Sequence, residues 1–249
     1  MSTGLEDLQQ ALKQLRLSEV SVELPLLMRE AEQQSWTYHE LLNHLFTFEL
    51  NKRDEKNKIK RLRWAKFPYQ KKLEDYNLRE QTSLTERQIK QLKEMNWLEQ
   101  QYNLVFLGPP GVGKTHLAIG MGLEAIEQGY QVMFLTMGEL MSVLKTSEYT
   151  RKSQIALNRI KQSDLVIIDD LMYIAMDPRE ANQFFHLINH LYERSAIILT
   201  SNKSPSQWGE LLGDEGIATA ILDRLLHRVE VIQMNDESYR MKNRESVFH

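Results

Sequence analysis

The sequence has no cysteine. That excludes disulfide scaffolds, iron–sulfur clusters, thiol catalysis and cysteine-ligated zinc. No signal-like segment opens the chain, so a reducing, cytoplasmic setting is expected. No apolar run approaches the roughly 20 residues that a membrane helix needs, and no membrane partner is expected. A metal centre built on histidine is equally absent from the pattern. His39, His44, His116, His186, His190, His227 and His249 are scattered, and the i, i+4 pair His186 and His190 has no HExxH frame or carboxylate cluster beside it. What is present is ordinary globular material: 249 residues, 42% hydrophobic and 26% charged. That supports a real core, arranged as one large domain or as one ordinary domain with a small accessory one.

Charge is unevenly spread. Between Asn51 and Lys72 ten Lys and Arg stand against Asp54 and Glu55, a local balance of about +8 in a chain of net charge −3. Trp64, Phe67 and Tyr69 are interleaved with them. Cationic groups neutralise phosphates and aromatics pack on sugars or bases, so the block reads as a nucleic-acid contact. The expected contact residues are Lys52, Arg53, Lys56, Lys60, Arg61, Arg63 and Lys66. The plainer alternative is a solvated helix face with anchoring aromatics.

Residues 1–75 read as a small all-helical domain. Leu5, Leu8, Leu12 and Leu15 recur at helical spacing. A second helix is expected over Glu23–Gln34, with Pro25 in its first turn. Thr37 and Glu40 make a capping box for a third, which continues into the basic block and stops before Pro68. Ser83 and Glu86 form a similar box for another helix. Residues 76–249 then change character. Short apolar runs at 104–107, 132–135, 165–168, 196–199 and 229–232 alternate with helical stretches. Such runs predict a parallel sheet covered on both faces, an α/β sandwich.

The segment Gly108, Pro109, Pro110, Gly111, Val112, Gly113, Lys114, Thr115 matches the Walker A pattern GxxxxGK[ST], between an apolar run and an amphipathic helix. Glycines let the backbone curl so that successive N–H groups face phosphates, and the helix N-terminus adds its positive end. Lys114 is expected to reach the β- and γ-phosphates of ATP, and Thr115 to ligate Mg²⁺. His116 completes the expected nucleotide-binding set. Asp169 ends the third apolar run, where a carboxylate holds Mg²⁺ beside Thr115. Asp170 follows as the candidate base for the attacking water, one methylene shorter than the glutamate usual there. Asn202, after Thr200 and Ser201, is the candidate for orienting that water. Arg224 is the candidate arginine finger, reaching a neighbouring subunit's γ-phosphate.

In this order, Walker A, Asp169-Asp170, Thr200-Ser201-Asn202, Trp208-Gly209, the stretch Ala220 to His227 and the stretch Glu237 to Arg240 resemble the IstB family. These are ATP-binding helper proteins of insertion sequences, related to the DnaC helicase loaders and to DnaA among AAA+ ATPases. The basic stretch ending Ala65-Lys66-Phe67-Pro68 is similar too, and the likeness runs from about residue 40 to 245. It implies an AAA+ module with strand order 5-1-4-3-2, ATP-dependent assembly on double-stranded DNA, and delivery of a transposase to its target. It also implies Asn202 as sensor 1, Arg224 as the finger and Arg240 as a sensor-2-like arginine. Only nine residues follow Arg240, too few for a full helical lid. Leu191 stands where the family pattern leads us to expect an arginine ahead of Tyr192-Glu193. Modules of this type carry extra helices after the second strand, expected here within 138–162, where Lys145, Arg151, Lys152 and Arg159 would add positive charge towards DNA.

The resulting expectation is an Mg²⁺-dependent ATPase that forms a homo-oligomer or filament on duplex DNA, largely without regard to sequence, and recruits the transposase. A helicase loader would use the same engine with a different partner. A plain nucleotide kinase would instead need an acceptor pocket and lid arginines within one subunit.

Overall fold

A computed structural model of the chain describes residues 2–78, 81–171, 176–208 and 215–242. It divides into two compact units, Met1–Lys60 and Arg61–His249. Composition alone puts the boundary near residue 75. The structure puts it earlier because Ala65 and Leu73 are buried in the α/β core, with Leu62, Trp64 and Phe67 packed against that core. The basic block is thereby shared between the units.

The first unit contains α1 (Ser2–Gln14), α2 (Ser18–Gln34) and most of α3 (Tyr38–Ala65). The second helix begins five residues before the expected Glu23, so Pro25 lies inside it. Proline has no N–H, which leaves the Ser21 carbonyl without its helical donor. Gln9 Nε2 of α1 donates to that carbonyl at 2.8 Å, and Ser21 Oγ donates to the Gln9 carbonyl at 2.9 Å. The first turn of α2 has no side-chain cap of its own. Glu49 of α3 supplies one, accepting from the Glu19 and Val20 N–H groups at 3.0 Å each, while Arg53 Nε donates to its other oxygen. Burial pushes the Glu49 carboxyl up, but these bonds outweigh it and hold it below the usual carboxylate range. The Thr37–Glu40 capping box forms as expected. The third helix ends at Ala65, with Lys66 in the left-handed region two residues before Pro68.

The second unit is built on five parallel strands, β1 (Asn103–Leu107), β2 (Val132–Thr136), β3 (Leu165–Asp169), β4 (Ala196–Ser201) and β5 (Val229–Gln233). Their order is β2-β3-β4-β1-β5, the expected 5-1-4-3-2 read from the opposite edge. Strands β1, β3 and β4 are buried throughout, whereas edge strand β5 is largely exposed. One face of the sheet carries α7 (Met137–Thr146), α9 (Pro178–Leu191) and α10 (Glu215–His227), through Leu140, Phe184, Leu187 and Ile221. The other carries α6 (Lys114–Glu127), through Leu117 and Met121, together with Leu73, Tyr76 and Leu84 from the segment before β1. The extra helices after β2 are α7 and α8 (Arg151–Lys161).

Two short helices, α4 (Glu86–Lys93) and α5 (Asn96–Glu99), precede β1, and α11 (Tyr239–Lys242) follows β5. Sequence spacing makes Ser83 the cap of α4. The cap is Thr85, which accepts from the Gln88 N–H, and Ser83 is held elsewhere by Asp236. A tertiary carboxylate outcompetes the local box.

Buried Asn103 ties three elements together. Its Oδ1 accepts from the Ile197 N–H of β4 at 2.9 Å, and its Nδ2 donates to the Leu225 carbonyl of α10 at 2.9 Å. Asn103→Ala would orphan both buried backbone groups. It is expected to lower the unfolding free energy by about 2–4 kcal/mol in urea titrations.

Candidate nucleotide site

The loop between β1 and α6 is shaped by glycines at three positive-φ positions, Gly108, Gly111 and Gly113. Two are required by close approach as well as by φ. A Cβ on Gly108 would strike the Met234 carbonyl, and one on Gly111 would strike the Ser238 side chain. The chain leaving β5 therefore lies directly against the loop, and the Tyr239 N–H donates to the Gly111 carbonyl at 3.0 Å. Lys114 Nζ donates to the Gly108 and Pro109 carbonyls at 2.6 and 2.8 Å, folded along its own loop.

The paired carboxylates lie at the end of β3, beside this loop. Asp169 is 8% exposed, and its Oδ1 accepts from Thr115 Oγ1 at 2.8 Å and from Thr200 Oγ1 at 2.6 Å. Thr200 Oγ1 accepts in turn from the Asp170 N–H at 2.8 Å. Sequence spacing missed Thr200. Its role depends on the pairing of β3 with β4, which no local motif reports. Asp170 takes a left-handed φ of 58°. Burial, then the neighbouring Asp169 charge, raise its carboxyl above the ordinary range, with Lys114 opposing. The Thr115 hydroxyl and the Asp169 carboxylate are hard oxygen donors meeting at one point, which fits Mg²⁺, an ion that usually takes one or two protein oxygens and completes its shell with phosphate and water.

Beside the loop lies a cavity of about 330 Å³, lined by Gly111, Lys114, Thr115, His116, Tyr76, Gln81 and Tyr239 among others. His116 Nε2 is 2.9 Å from the Lys72 carbonyl, and its ring meets Tyr76 edge-on. Burial lowers its pKa. The side of the cavity that carries Gln81 is fastened by Asp236, just past β5. One carboxylate oxygen accepts from Thr82 N–H and Oγ1 at 3.0 and 2.8 Å, and the other from Ser83 N–H at 3.0 Å and from Ser83 Oγ. Burial raises the Asp236 pKa, but the Ser83 and Thr82 bonds prevail and hold it low. None of Tyr76, Gln81 and Asp236 carries a recognisable spacing in the sequence.

The remaining expected residues are spread out. Asn202 is exposed just beyond the end of β4. The Arg240 side chain lies outside the described residues, as does Gly209. Arg224 is not brought to the loop. Its Nε donates to Asn189 Oδ1 at 3.0 Å, its Nη1 donates to the Ala220 carbonyl at 2.8 Å, and its guanidinium lies over the Phe185 ring at 5.0 Å. It lines a small cleft with Gln101 and Asn103, at the start of β1, whereas Lys114 follows the other end of that strand.

Among the basic residues, Lys52 pairs with Glu55, Arg53 with Glu49, Lys56 with Glu19 and Lys145 with buried Glu180. Lys60, Arg63, Lys66, Arg151 and Lys152 are exposed, and Arg61 is half-buried. Arg159 stacks over Trp64 at 4.8 Å, so α8 meets the end of α3 inside the second unit, a juxtaposition of two basic segments that sequence treats separately.

A glycine loop between β1 and α6, an aspartate pair on a strand two places away and a parallel sheet in the order β2-β3-β4-β1-β5 define a P-loop NTPase of the AAA+ type. Solved structures agree on the fold. A DnaI crystal structure aligns with 66% of this chain and 90% of its own at TM-score 0.55 and 22% identity. AMPPCP-bound DnaA from Aquifex aeolicus aligns with 69% of this chain and 52% of its own at TM-score 0.54 and 26% identity. Residues 10–247 match the family model described as IstB-like ATP binding protein, and the chain belongs to that family. An ATP-binding protein of insertion sequence IS21 from Pseudomonas aeruginosa is 35% identical over 240 residues, 96% of this chain and 91% of the relative. One of insertion sequence IS5376 from Geobacillus stearothermophilus is 38% identical over 208 residues, 84% and 83% of the two chains. Among the described residues no helix is long and apolar enough to cross a membrane.

The Asp236 clamp yields a pH-dependent prediction. A carboxyl held below its unfolded pKa contributes stability above that unfolded value and loses it as pH falls through the folded one. Asp236→Ala is expected to lower stability by about 1–3 kcal/mol at neutral pH, towards the lower figure because the carboxylate is only partly buried. The gap to the wild type should narrow on acidification, as read by urea unfolding of both proteins at neutral and acidic pH.

Proposed function

We propose that this chain is an Mg²⁺-dependent ATPase that assembles as a homo-oligomer or filament on duplex DNA and delivers the transposase of an insertion sequence to its target. Membership of the IstB-like ATP binding family supports the ATP and insertion-sequence parts of this reading. The observation that carries the chemistry is the meeting of Thr115 and Thr200 on Asp169 Oδ1 beside the glycine loop. Backbone N–H groups of Gly111 to Thr115 hold the phosphates. Lys114 exchanges its loop carbonyls for the β- and γ-phosphate oxygens. Thr115 and Asp169 would hold Mg²⁺, which would offset negative charge on the phosphates. Asp170 accepts a proton from the attacking water. Asn202 orients that water from the end of β4.

Arg224 completes the site from a neighbouring copy. Its cleft lies at the start of β1 and the loop at the other end, about 16 Å of strand away at five residues of about 3.3 Å each, which supports action across a subunit seam. Bound ATP then joins copies, and their exposed cations, Lys60, Arg63, Lys66, Arg151 and Lys152 foremost, line up along DNA phosphates without reading sequence. The ion-paired Lys52, Arg53, Lys56 and Lys145, with Arg61 and Arg159, complete the proposed set. Of these pairs Lys52–Glu55 is exposed on both sides; such a pair contributes about 0–1 kcal/mol and is readily exchanged for phosphates.

Two measurements test this. Lys114→Ala and Arg224→Ala should each lower phosphate release about 10³-fold or more, and mixing the two inactive proteins should restore part of it, because each lends the half the other lacks. No recovery on mixing, or normal turnover by Arg224→Ala, would refute the seam. DNA binding in gel-shift assays that ignores ATP and Lys114→Ala would refute nucleotide-driven assembly. Separately, Thr200→Val keeps the buried shape but removes the hydroxyl between Asp169 and Asp170. It should reduce turnover about 10–100-fold with little change in circular dichroism.

A further inference from the structure

The proposed hydrolysis makes no use of the β5 edge of the sheet. Among the described residues β5 pairs with β1 alone and ends the strand order. In a parallel pair each residue turns its N–H and its C=O to the same side, alternating along the strand. The Arg228 carbonyl accepts from the Asn103 N–H, and the Met234 N–H donates to the Leu107 carbonyl. Residues 228, 230, 232 and 234 therefore face β1, and Val229, Val231 and Gln233 turn their backbone groups outward. Val231 is 38% exposed. A row of outward backbone groups is a template for another strand.

A groove of about 460 Å³ lies beside this edge, between β5 and the short helices α4 and α5. Its apolar part includes Leu92, Trp97 and buried Ile232. The Trp97 ring is held in place, since its Nε1 donates to the Leu92 carbonyl at 2.9 Å. Among the described residues, the charged side chains that line the groove are Glu94 and Glu230, both exposed, and no Lys or Arg lines it. Glu230 and Ile232 project from one face of β5, being two residues apart. Side chains of an added strand on that face would lie about 5 Å from them.

Charge separates this surface from the cationic ones assigned to DNA. A groove with acid and no base repels phosphates and attracts ammonium or guanidinium groups. A charged residue on the edge also opposes pairing with the same edge of a second copy. A small ligand would leave the outward N–H and C=O groups of β5 unmet, whereas another backbone pairs with them in register.

We propose that the β5 edge and the groove beside it are a docking surface for an extended segment of a partner protein. The segment adds as a sixth strand and carries Lys or Arg together with apolar side chains at the alternate positions that face the groove. Backbone pairing with residues 229, 231 and 233 supplies affinity, and Glu94, Glu230 and the apolar lining select the segment. The surface is separate from the nucleotide site and does not depend on it.

Selection of phage-displayed random octapeptides against the full chain tests this. Wild-type protein should enrich peptides in which Lys or Arg and apolar residues share alternate positions. A synthetic copy of an enriched peptide should slow amide hydrogen exchange at Val229, Val231 and Gln233, read by NMR. The double variant Glu94→Lys, Glu230→Lys should bind that peptide about tenfold or more weakly and should enrich Asp- and Glu-bearing peptides in its own selection. Val231→Pro removes an outward N–H without touching the β1 ladder, a place where an edge strand tolerates proline. It should weaken the peptide about fivefold or more. Phosphate release by the double variant should match the wild type. No enrichment, the same peptides from both proteins, or unchanged exchange at the three amides would overturn the proposal. Amides already protected in the chain alone would overturn it too: protection lost on dilution would place a second copy on the edge, and protection at every concentration a segment of this chain. If Val231→Pro fails to fold, the double variant, altered only at exposed side chains, decides.

Discussion

One carboxylate oxygen, Asp169 Oδ1, organises the second unit's chemistry. It receives the first-turn hydroxyl of α6 through Thr115 and the end of β4 through Thr200. That meeting depends on strand register. Ile168 pairs with Leu199 across the β3–β4 ladder, which brings Asp169 and Thr200 side by side at the strand ends. A slip of one residue would turn either side chain to the opposite face of the sheet. The buried apolar runs of β3 and β4 make such a slip costly, so an apolar core sets the position of a polar centre. Burial, and then the closeness of Asp169, raise the pKa of Asp170.

The loop is held between two segments that are far apart in sequence. The chain after β5 touches it at Gly108 and Gly111, and the segment before β1 touches it at Gly113 through Tyr76. Asp236 fastens these two segments to each other with four donors from Thr82 and Ser83. Charge-assisted bonds of this kind are about twice as strong as neutral ones. The loop is thus shaped by its glycines and positioned by packing on either side.

How much of this was legible in the sequence follows from how local each feature is. The glycine loop, Asp169 and the five strands are local patterns, and the structure has strands at all five apolar runs, each longer by one or two residues. Thr200 was visible only as part of a strand-end triplet, and sequence reasoning preferred Asn202, because the hydrogen bond that singles out Thr200 comes from a neighbouring strand. Tyr76, Gln81 and Asp236 had no signal, since what joins these two segments is non-local: the Gln81 and Glu237 contact spans a separation of 156, and Asp236 reaches Thr82 at 154. Ser83 misled because its short box with Glu86 competes with a distant carboxylate. In the first unit Pro25 suggested a helix start, yet α2 begins earlier because Gln9 supplies the missing donor.

Arg224 brings out the asymmetry of the molecule. Its guanidinium is constrained by Asn189, the Ala220 carbonyl and the Phe185 ring, so little further side-chain freedom is lost when it meets an anion. Its backbone is braced as well, because the Leu225 carbonyl accepts from Asn103 at the start of β1. The strand that ends in the phosphate loop therefore begins by holding the element that carries the arginine. Under the proposed function this couples the two half-sites of one subunit through a rigid, fully buried strand, the donor half at its beginning and the acceptor half at its end. Under that reading, a change at the loop would be passed along a strand of five buried residues. Assembly of copies would then propagate one orientation from seam to seam, as a filament requires.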